Sequence, residues 1–170
     1  MKHTILLTSD DQESVLRLLG DSLLLDEWEL ARAEDVPQAV EKSKAGKTDL
    51  ILMLLDSRTL EGWEAIEVIR EANPLLPVIV IAKEPGLRGM AEAAGARALV
   101  ERPVDITALL QNMRELLAEP MARRLSRARA HDLDFRHVPA SDAGFRAMLY
   151  QRYTIPYAMA PPFRHWGINE

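Results

Sequence analysis

The sequence predicts an α/β fold, a five-stranded parallel sheet with helices on both faces, followed by an extended and partly helical carboxyl-terminal tail. Short apolar runs separated by segments with helical spacing predict the alternation; the runs are 5–7, 50–55, 78–81 and 98–100. The run 50–55 is apolar at every position, which is typical of a strand covered on both faces. Six residues alone would also fit a helix, so the repeat around them decides for a strand.

The first half of the chain adds two helices and one more strand. Leucine and valine at helical spacing predict a first helix over 11–25, with Asp10 or Asp11 capping its start. Alternating apolar and polar residues predict a second strand at Trp28–Ala33. The helix after it ends at Gly46, because glycine suits a left-handed cap.

Three helices follow in the second half. One carries Trp63, which we interpret as a partly buried helix residue rather than a binding anchor, and it stops before Asn73-Pro74. A short alanine-rich helix ends at Gly95. An amphipathic helix then begins near Ile106 and continues to Leu117.

Composition narrows the class of protein. The chain has 170 residues, 48% of them hydrophobic, which is enough for one domain with a full core and an appendage. It has no cysteine, so disulfides and thiolate metal sites are excluded. No apolar run approaches the length of a membrane span, and the first apolar stretch is too short for a signal peptide. We therefore expect a cytoplasmic protein with no membrane insertion.

In open α/β sheets, ligands bind beyond the carboxyl ends of the strands, so the residues that follow each apolar run are the candidates. Four stretches, taken in their order along the chain, resemble a known family: KHTILLTSDDQESVLRLL, DLILMLLDSRTLEGWEAIEVIR, LPVIVIA and AGARALVERPVDITALL. Over about residues 2–118 they resemble the CheY-like receiver domain of two-component response regulators. The resemblance implies a flavodoxin-like fold and a role in signalling rather than an enzyme.

The resemblance also implies that the phosphorylation site is degenerate. Active receivers carry an acidic pair after the first strand, a phospho-accepting aspartate at the end of the third, a Ser or Thr ending the fourth, and a Lys before a proline after the fifth. The matching positions here are Ser9 and Asp10, Leu54, Ala82, and Arg102 before Pro103. A leucine cannot take a phosphoryl group, so the chain is predicted to be a pseudo-receiver.

Two alternatives stay open at this edge of the sheet. Asp56 becomes the acceptor if the third strand slips by two residues, since such a slip preserves which face each residue occupies. Oxygen ligands for a divalent cation are also present, at Ser9, Asp10, Asp11 and Asp56. We expect instead that Arg102 pairs with Asp10 or Asp11, and we predict no metal and no cofactor.

Residues 120–170, the tail, differ in kind from residues 1–119, the predicted pseudo-receiver. Residues 1–119 hold 13 basic and 22 acidic side chains, whereas the tail holds eight arginines, no lysine and four acidic residues. The tail also holds every Phe and Tyr, and we predict short helices over 121–130 and 143–153. The residues predicted to dock on a partner are Arg123, Arg124, Phe135, Phe145, Tyr150, Tyr153, Tyr157, Phe163 and Trp166.

The function predicted from these features is binding. The tail is suited to a groove on a partner protein or larger complex, and it could equally pack on its own receiver or on the second copy of a homodimer. A phosphorylation-independent interaction or scaffold subunit is the predicted role. The alternatives are a two-component regulator phosphorylated at Asp56, or a nucleic-acid-binding regulator using the basic helix over 121–130. Nucleic acid is disfavoured because the whole protein is acidic.

Overall fold

The structure is a computed structural model that describes residues 3–8, 28–58, 60–130 and 134–140. Within these ranges, six parallel strands form one sheet in the order β2-β1-β3-β4-β5-β6. The strands are β1 (His3–Thr8), β2 (Trp28–Ala33), β3 (Leu50–Leu55), β4 (Val78–Ala82), β5 (Ala98–Glu101) and β6 (Arg136–Val138). The predicted flavodoxin-like α/β fold is confirmed.

Local chemistry sets the limits of the first two described helices. Helix α1 (Val36–Lys44) begins where the side chain of Asp35 accepts a hydrogen bond from the Gln38 N–H at 2.8 Å. Just beyond its end, Gly46 has a φ of 77°, as the sequence predicted. Helix α2 (Leu60–Ala72) ends before Asn73-Pro74, which confirms that prediction.

The later helices follow the same rules. Helix α3 (Arg88–Ala94) ends at Gly95, whose φ of 95° supplies the left-handed cap. Helix α4 (Ile106–Ala118) begins at Asp105, whose carboxylate accepts from the Ala108 N–H at 3.1 Å. Helix α5 (Met121–Ala130) confirms the helix predicted at the start of the tail. No helix in the described ranges is long and apolar enough to cross a bilayer.

The sheet separates two apolar cores. On one face, strand residues such as Met53 and Val80 pack with α1, α2 and α3. On the other face, Leu52 and Leu54 pack with α4 and with Val138 of β6. Every residue of β3 is buried, which confirms the prediction of a central strand covered on both sides.

The predicted number of strands is wrong by one, because β6 of the tail adds to the free edge of β5. Leu99 lies opposite His137, and the Arg136 N–H donates to the Arg97 carbonyl at 3.0 Å. Three residues with the sequence Arg-His-Val carry neither an apolar run nor a readable alternation, so the pattern could not predict the strand. The predicted helices over 11–25 and 143–153 lie outside the described residues.

Candidate functional site

The ends of β3 and β4 are in register at the carboxyl edge of the sheet. Leu54 lies opposite Ile81, and Leu55 lies opposite Ala82. The two positions that the resemblance assigns to the acceptor and to the switch hydroxyl are therefore near neighbours on adjacent strands. The sheet brings together the backbone positions of this site.

The side chains at these two positions are apolar and enclosed. Leu54 is 2% exposed and packs in the core beneath α4, and Ala82 is 1% exposed in the core of the opposite face. Neither side chain carries an atom that could accept or hydrogen-bond a phosphoryl group. In chemical terms, the centre of the predicted pocket is part of the hydrophobic core.

Asp56 comes directly after β3 and takes part in the loop that leads to α2. Its backbone carbonyl accepts from the Trp63 indole Nε1 at 2.8 Å, and its carboxylate accepts from the Arg58 N–H at 2.9 Å. The second bond is the local turn that aspartate commonly makes with the backbone two residues on. The Asp56 side chain keeps partial exposure to solvent.

Trp63 is more deeply buried than the sequence predicted. The side chain is 6% exposed and belongs to the core formed by α1, α2 and α3. Its hydrogen bond to Asp56 satisfies the one polar atom of the indole, so full burial costs no unpaired donor. This placement agrees with the interpretation of Trp63 as a helix residue rather than a binding anchor.

Backbone donors at the same edge are already engaged by the protein. The Ser57 N–H donates to the Glu84 carboxylate at 3.0 Å, and the Lys83 N–H donates to the Leu55 carbonyl at 2.9 Å. These bonds tie the loop after β3 to the loop after β4. An N–H that would suit an incoming anion therefore already donates to a carboxylate of the chain itself.

The other predicted pocket residues divide into two groups. Ser9, Asp10 and Asp11 lie outside the described residues, so the predicted ion pair of Arg102 with Asp10 or Asp11 stays a prediction. Arg102 and Pro103 follow β5, partly buried and joined by a cis peptide bond. Within the described ranges, no group of three or more His, Cys, Asp or Glu residues has the arrangement of a metal site.

The described part of the tail packs on the receiver. Arg124 donates from Nη2 to the Leu116 and Leu117 carbonyls at 2.7 and 3.0 Å, and so caps the end of α4. Phe135 packs against the core shared with α1, α2 and α3, whereas Arg123 is exposed. The remaining predicted docking residues lie outside the described residues: Phe145, Tyr150, Tyr153, Tyr157, Phe163 and Trp166.

A partly buried ionic cluster that the sequence did not predict joins the tail to the amino edge of the sheet. Arg127 of α5 contacts Glu119 at 2.6 Å and Asp134 at 3.0 Å, and Arg97 reaches Glu119 at 3.5 Å. Burial lowers the pKa of Arg97, and the Glu119 carboxylate opposes that shift. Arg97 lies 22 positions before Glu119 and the four residues share no motif, so only the packing of α5 reveals the cluster.

A second set of polar contacts fastens β6. His137 Nε2 lies 2.8 Å from the Glu101 carboxylate, and Arg136 pairs with Glu115 of α4. Glu101 is the last residue of β5, so this contact extends to the carboxyl edge of the sheet. His137 thus has a carboxylate partner in the structure.

Comparisons with known proteins agree with this geometry. The family model of the response regulator receiver domain matches residues 6–114. The transcriptional regulatory protein GlrR of Escherichia coli K12 is 26% identical over 120 residues, which are 69% of this chain and 27% of GlrR. The chain thus spans about a quarter of the length of that relative.

Solved structures show the same fold. A CheY-like receiver domain protein from Methanospirillum hungatei has a TM-score of 0.60 at 22% identity, covering 74% of this chain and 98% of its own. The chemotaxis response regulator CheY4 of Vibrio cholerae has a TM-score of 0.58 at 18% identity, covering 68% and 99%. Since the family model covers more than half of the chain, this protein belongs to the response regulator receiver domain family.

Proposed function

We propose that this protein is a pseudo-receiver that acts without phosphorylation, in the cytoplasm, as an interaction or scaffold subunit of a protein complex. One observation carries the proposal: Leu54, at the position of the family's acceptor aspartate, is 2% exposed inside an apolar core. The chemistry of the family needs an oxygen nucleophile at that position. What this domain retains is a stable surface to which another protein can bind.

The switch that would read a phosphoryl group is affected as well. Ala82 replaces a hydroxyl that would move toward the modified side chain, and it is enclosed by the core. The loops after β3 and β4 are held together by the Ser57–Glu84 contact. Signalling by population shift requires two states with different affinities for a ligand, and neither Leu54 nor Ala82 carries an atom that a phosphoryl group would favour.

We place a domain boundary between residues 119 and 120 and propose that the tail beyond it is the docking element. Its residues 141–170 include two of the three Phe, all three Tyr and one Trp, and such residues dominate the binding energy of interfaces. On α5, Met121 and Leu125 are 56% and 41% exposed, one helical turn apart. Together they form an apolar stripe beside exposed Arg123, which suits a protein partner with an apolar and acidic surface.

Affinity purification from the native cells tests the docking proposal. The full chain is compared with a chain ending at residue 140, which keeps α5 and β6 on the receiver, and bound proteins are identified by mass spectrometry. The proposal predicts a defined partner that the full chain retains and the shorter chain loses. Recovery of identical proteins with both chains contradicts docking through residues 141–170, and recovery of none with either contradicts docking through the tail as a whole.

A second candidate is a two-component regulator that accepts phosphate at Asp56. The partial exposure of Asp56 favours this alternative, as does the function of GlrR as a transcriptional regulatory protein. Incubation with acetyl phosphate and Mg²⁺ followed by intact-protein mass spectrometry separates the two candidates. A phosphorylated species that Asp56→Asn abolishes would establish the second candidate and contradict the first.

Nucleic-acid binding through α5 has less support. Arg124 and Arg127 point into contacts with the receiver, which leaves Arg123 and Arg129 exposed on that helix. Two exposed cations supply little of the phosphate neutralisation on which such binding depends. Binding to DNA that falls steeply with salt would nevertheless establish this role.

A further inference from the structure

A cavity of about 240 Å³ opens at the amino edge of the sheet, opposite the edge where the family carries its chemistry. It lies between the end of α2, the loop before β4, the end of α4, and α5 of the tail. Arg124, Arg127 and Ala128 form its α5 side, so the packing of the tail on the receiver completes the cavity. We call it the amino-edge cavity.

The charged side chains of the amino-edge cavity are mainly arginines. Four guanidinium groups and two carboxylates line it: Arg70, Arg97, Arg124, Arg127, Glu71 and Glu119. Proline and leucine residues of the loop before β4 supply an apolar wall. A small site with net positive charge and an apolar wall is suited to an anion with a short organic body.

Two of the four arginines are committed to the fold. Arg127 is held by Glu119 and Asp134, and Arg124 donates to the carbonyls at the end of α4. These interactions fix the wall of the cavity that α5 provides. They leave the other two guanidinium groups as candidates for a ligand.

The donors of Arg70 and Arg97 are incompletely used. Arg97 contacts Glu119 through Nη2, while its Nε is buried without an acceptor in the described part of the chain. Arg70 has no hydrogen-bond or ion-pair partner among the described residues, and its guanidinium lies over Gly95, in space that a Cβ would occupy. A buried guanidinium donor without an acceptor favours binding of an oxyanion, because such donors are normally paired.

We propose that the amino-edge cavity binds a small oxyanion, a phosphate or carboxylate group, between Arg70 and Arg97. The planar guanidinium fork matches the geometry of both groups. The cavity lies below the range of about 300–1,000 Å³ typical of drug-sized ligands, which restricts the ligand to a small molecule. Because α5 forms one wall, such a ligand would also stabilise the packed position of the tail.

The test is a titration of the full ¹⁵N-labelled chain followed by NMR. Inorganic phosphate and acetate are compared with chloride at matched ionic strength. We expect saturable shifts of the Gly95 and Arg97 amides with phosphate or acetate, with a dissociation constant of about 1 mM or below. The oxyanion that saturates at the lower concentration identifies whether the site prefers phosphate or carboxylate.

A matched pair of variants locates the binding site. Arg70→Gln should weaken binding by about tenfold or more, whereas Arg88→Gln, an exposed arginine of α3 away from the cavity, should leave it unchanged. Arg70 is chosen because it has no partner in the described structure, so its replacement leaves the fold intact. Unchanged amide shifts in β3 and β4 confirm folding of each variant.

Three results would overturn the proposal. One is an equal response to chloride, which means general screening rather than a site. Another is an equal loss of binding in Arg70→Gln and Arg88→Gln. The third is a set of shifts centred on Ser57 and Lys83, which would place the anion at the carboxyl edge instead.

Discussion

The two edges of the sheet differ in whether their buried side chains are apolar or charged. At the carboxyl edge, where the family carries its acceptor, Leu54 and Ala82 extend the hydrophobic core. At the amino edge, the tail brings Arg127 onto Glu119, which Arg97 also contacts, and so forms a partly buried ionic cluster. The difference indicates that burial of charge accompanies the packing of α5, whereas the position of the family's acceptor is apolar.

The carboxyl edge should tolerate a charge poorly. Leu54→Asp restores the residue type of the acceptor but places a carboxylate in an apolar core, and we expect a loss of about 4 kcal/mol in the free energy of unfolding. Urea denaturation followed by circular dichroism measures the change. Leu54→Met, of similar volume, should cost less than about 1.5 kcal/mol. A fully stable Leu54→Asp protein would mean that the edge is less enclosed than the structure indicates.

The charge of Glu119 at the amino edge should contribute to the stability of the fold. Glu119→Ala leaves two mostly buried guanidinium groups without their shared partner, and we expect a loss of about 3 kcal/mol. Replacement of an exposed carboxylate on α2, in Glu67→Gln, should change stability by less than about 0.5 kcal/mol. Equal effects of the two substitutions in urea denaturation would show that the cluster is solvated and adds little.

A pair of glycines in α3 and at its cap sharpens the comparison. Gly95→Ala forces a φ of 95° on an alanine and displaces the Arg70 guanidinium, so we expect a loss of about 2 kcal/mol. Gly89→Ala, in open space inside the same helix, should instead stabilise the protein by up to about 1 kcal/mol. Thermal unfolding of both variants should therefore give shifts of opposite sign.

The contact of β6 with α4 predicts a small dependence on pH. Hydrogen bonds from Gln111 and then Arg136 lower the pKa of Glu115. A lowered pKa in the folded state contributes stability above the ordinary pKa, and the contribution is lost as pH falls through the folded-state value. Glu115→Gln should flatten the stability profile at acidic pH, with an effect smaller than the others because the group is exposed. An unchanged profile would mean that the pair is fully screened.

The sequence predicted most of the receiver because its signals are local. The apolar run 50–55, the alternation over Trp28–Ala33 and the glycine at position 95 each act within a few residues, and the structure agrees with all three. Strand β6 was not predictable in this way, since its pairing depends on a free sheet edge and on partners such as Glu101.

The candidate site likewise has features that the sequence predicted and features that it could not predict. The resemblance placed Leu54 and Ala82 at the ends of the third and fourth strands, and the structure shows that these two strands are adjacent. Ser57 and Glu84 are 27 positions apart, and Arg97 and Glu119 are 22 positions apart, with no repeated spacing between them. Only tertiary packing specifies such pairs, so no pattern in the sequence could have indicated them.

The measurement that tests independence from phosphorylation most directly is an NMR titration of the full chain with Mg²⁺ and beryllofluoride, alongside a receiver that carries the acceptor aspartate. We predict shifts in the control protein and none beyond Mg²⁺ alone in this one, because Leu54 offers no oxygen to the analogue. Saturable shifts at Asp56, Ala82 and Glu101 that disappear in Asp56→Asn would contradict the proposal and identify a working phosphoryl switch.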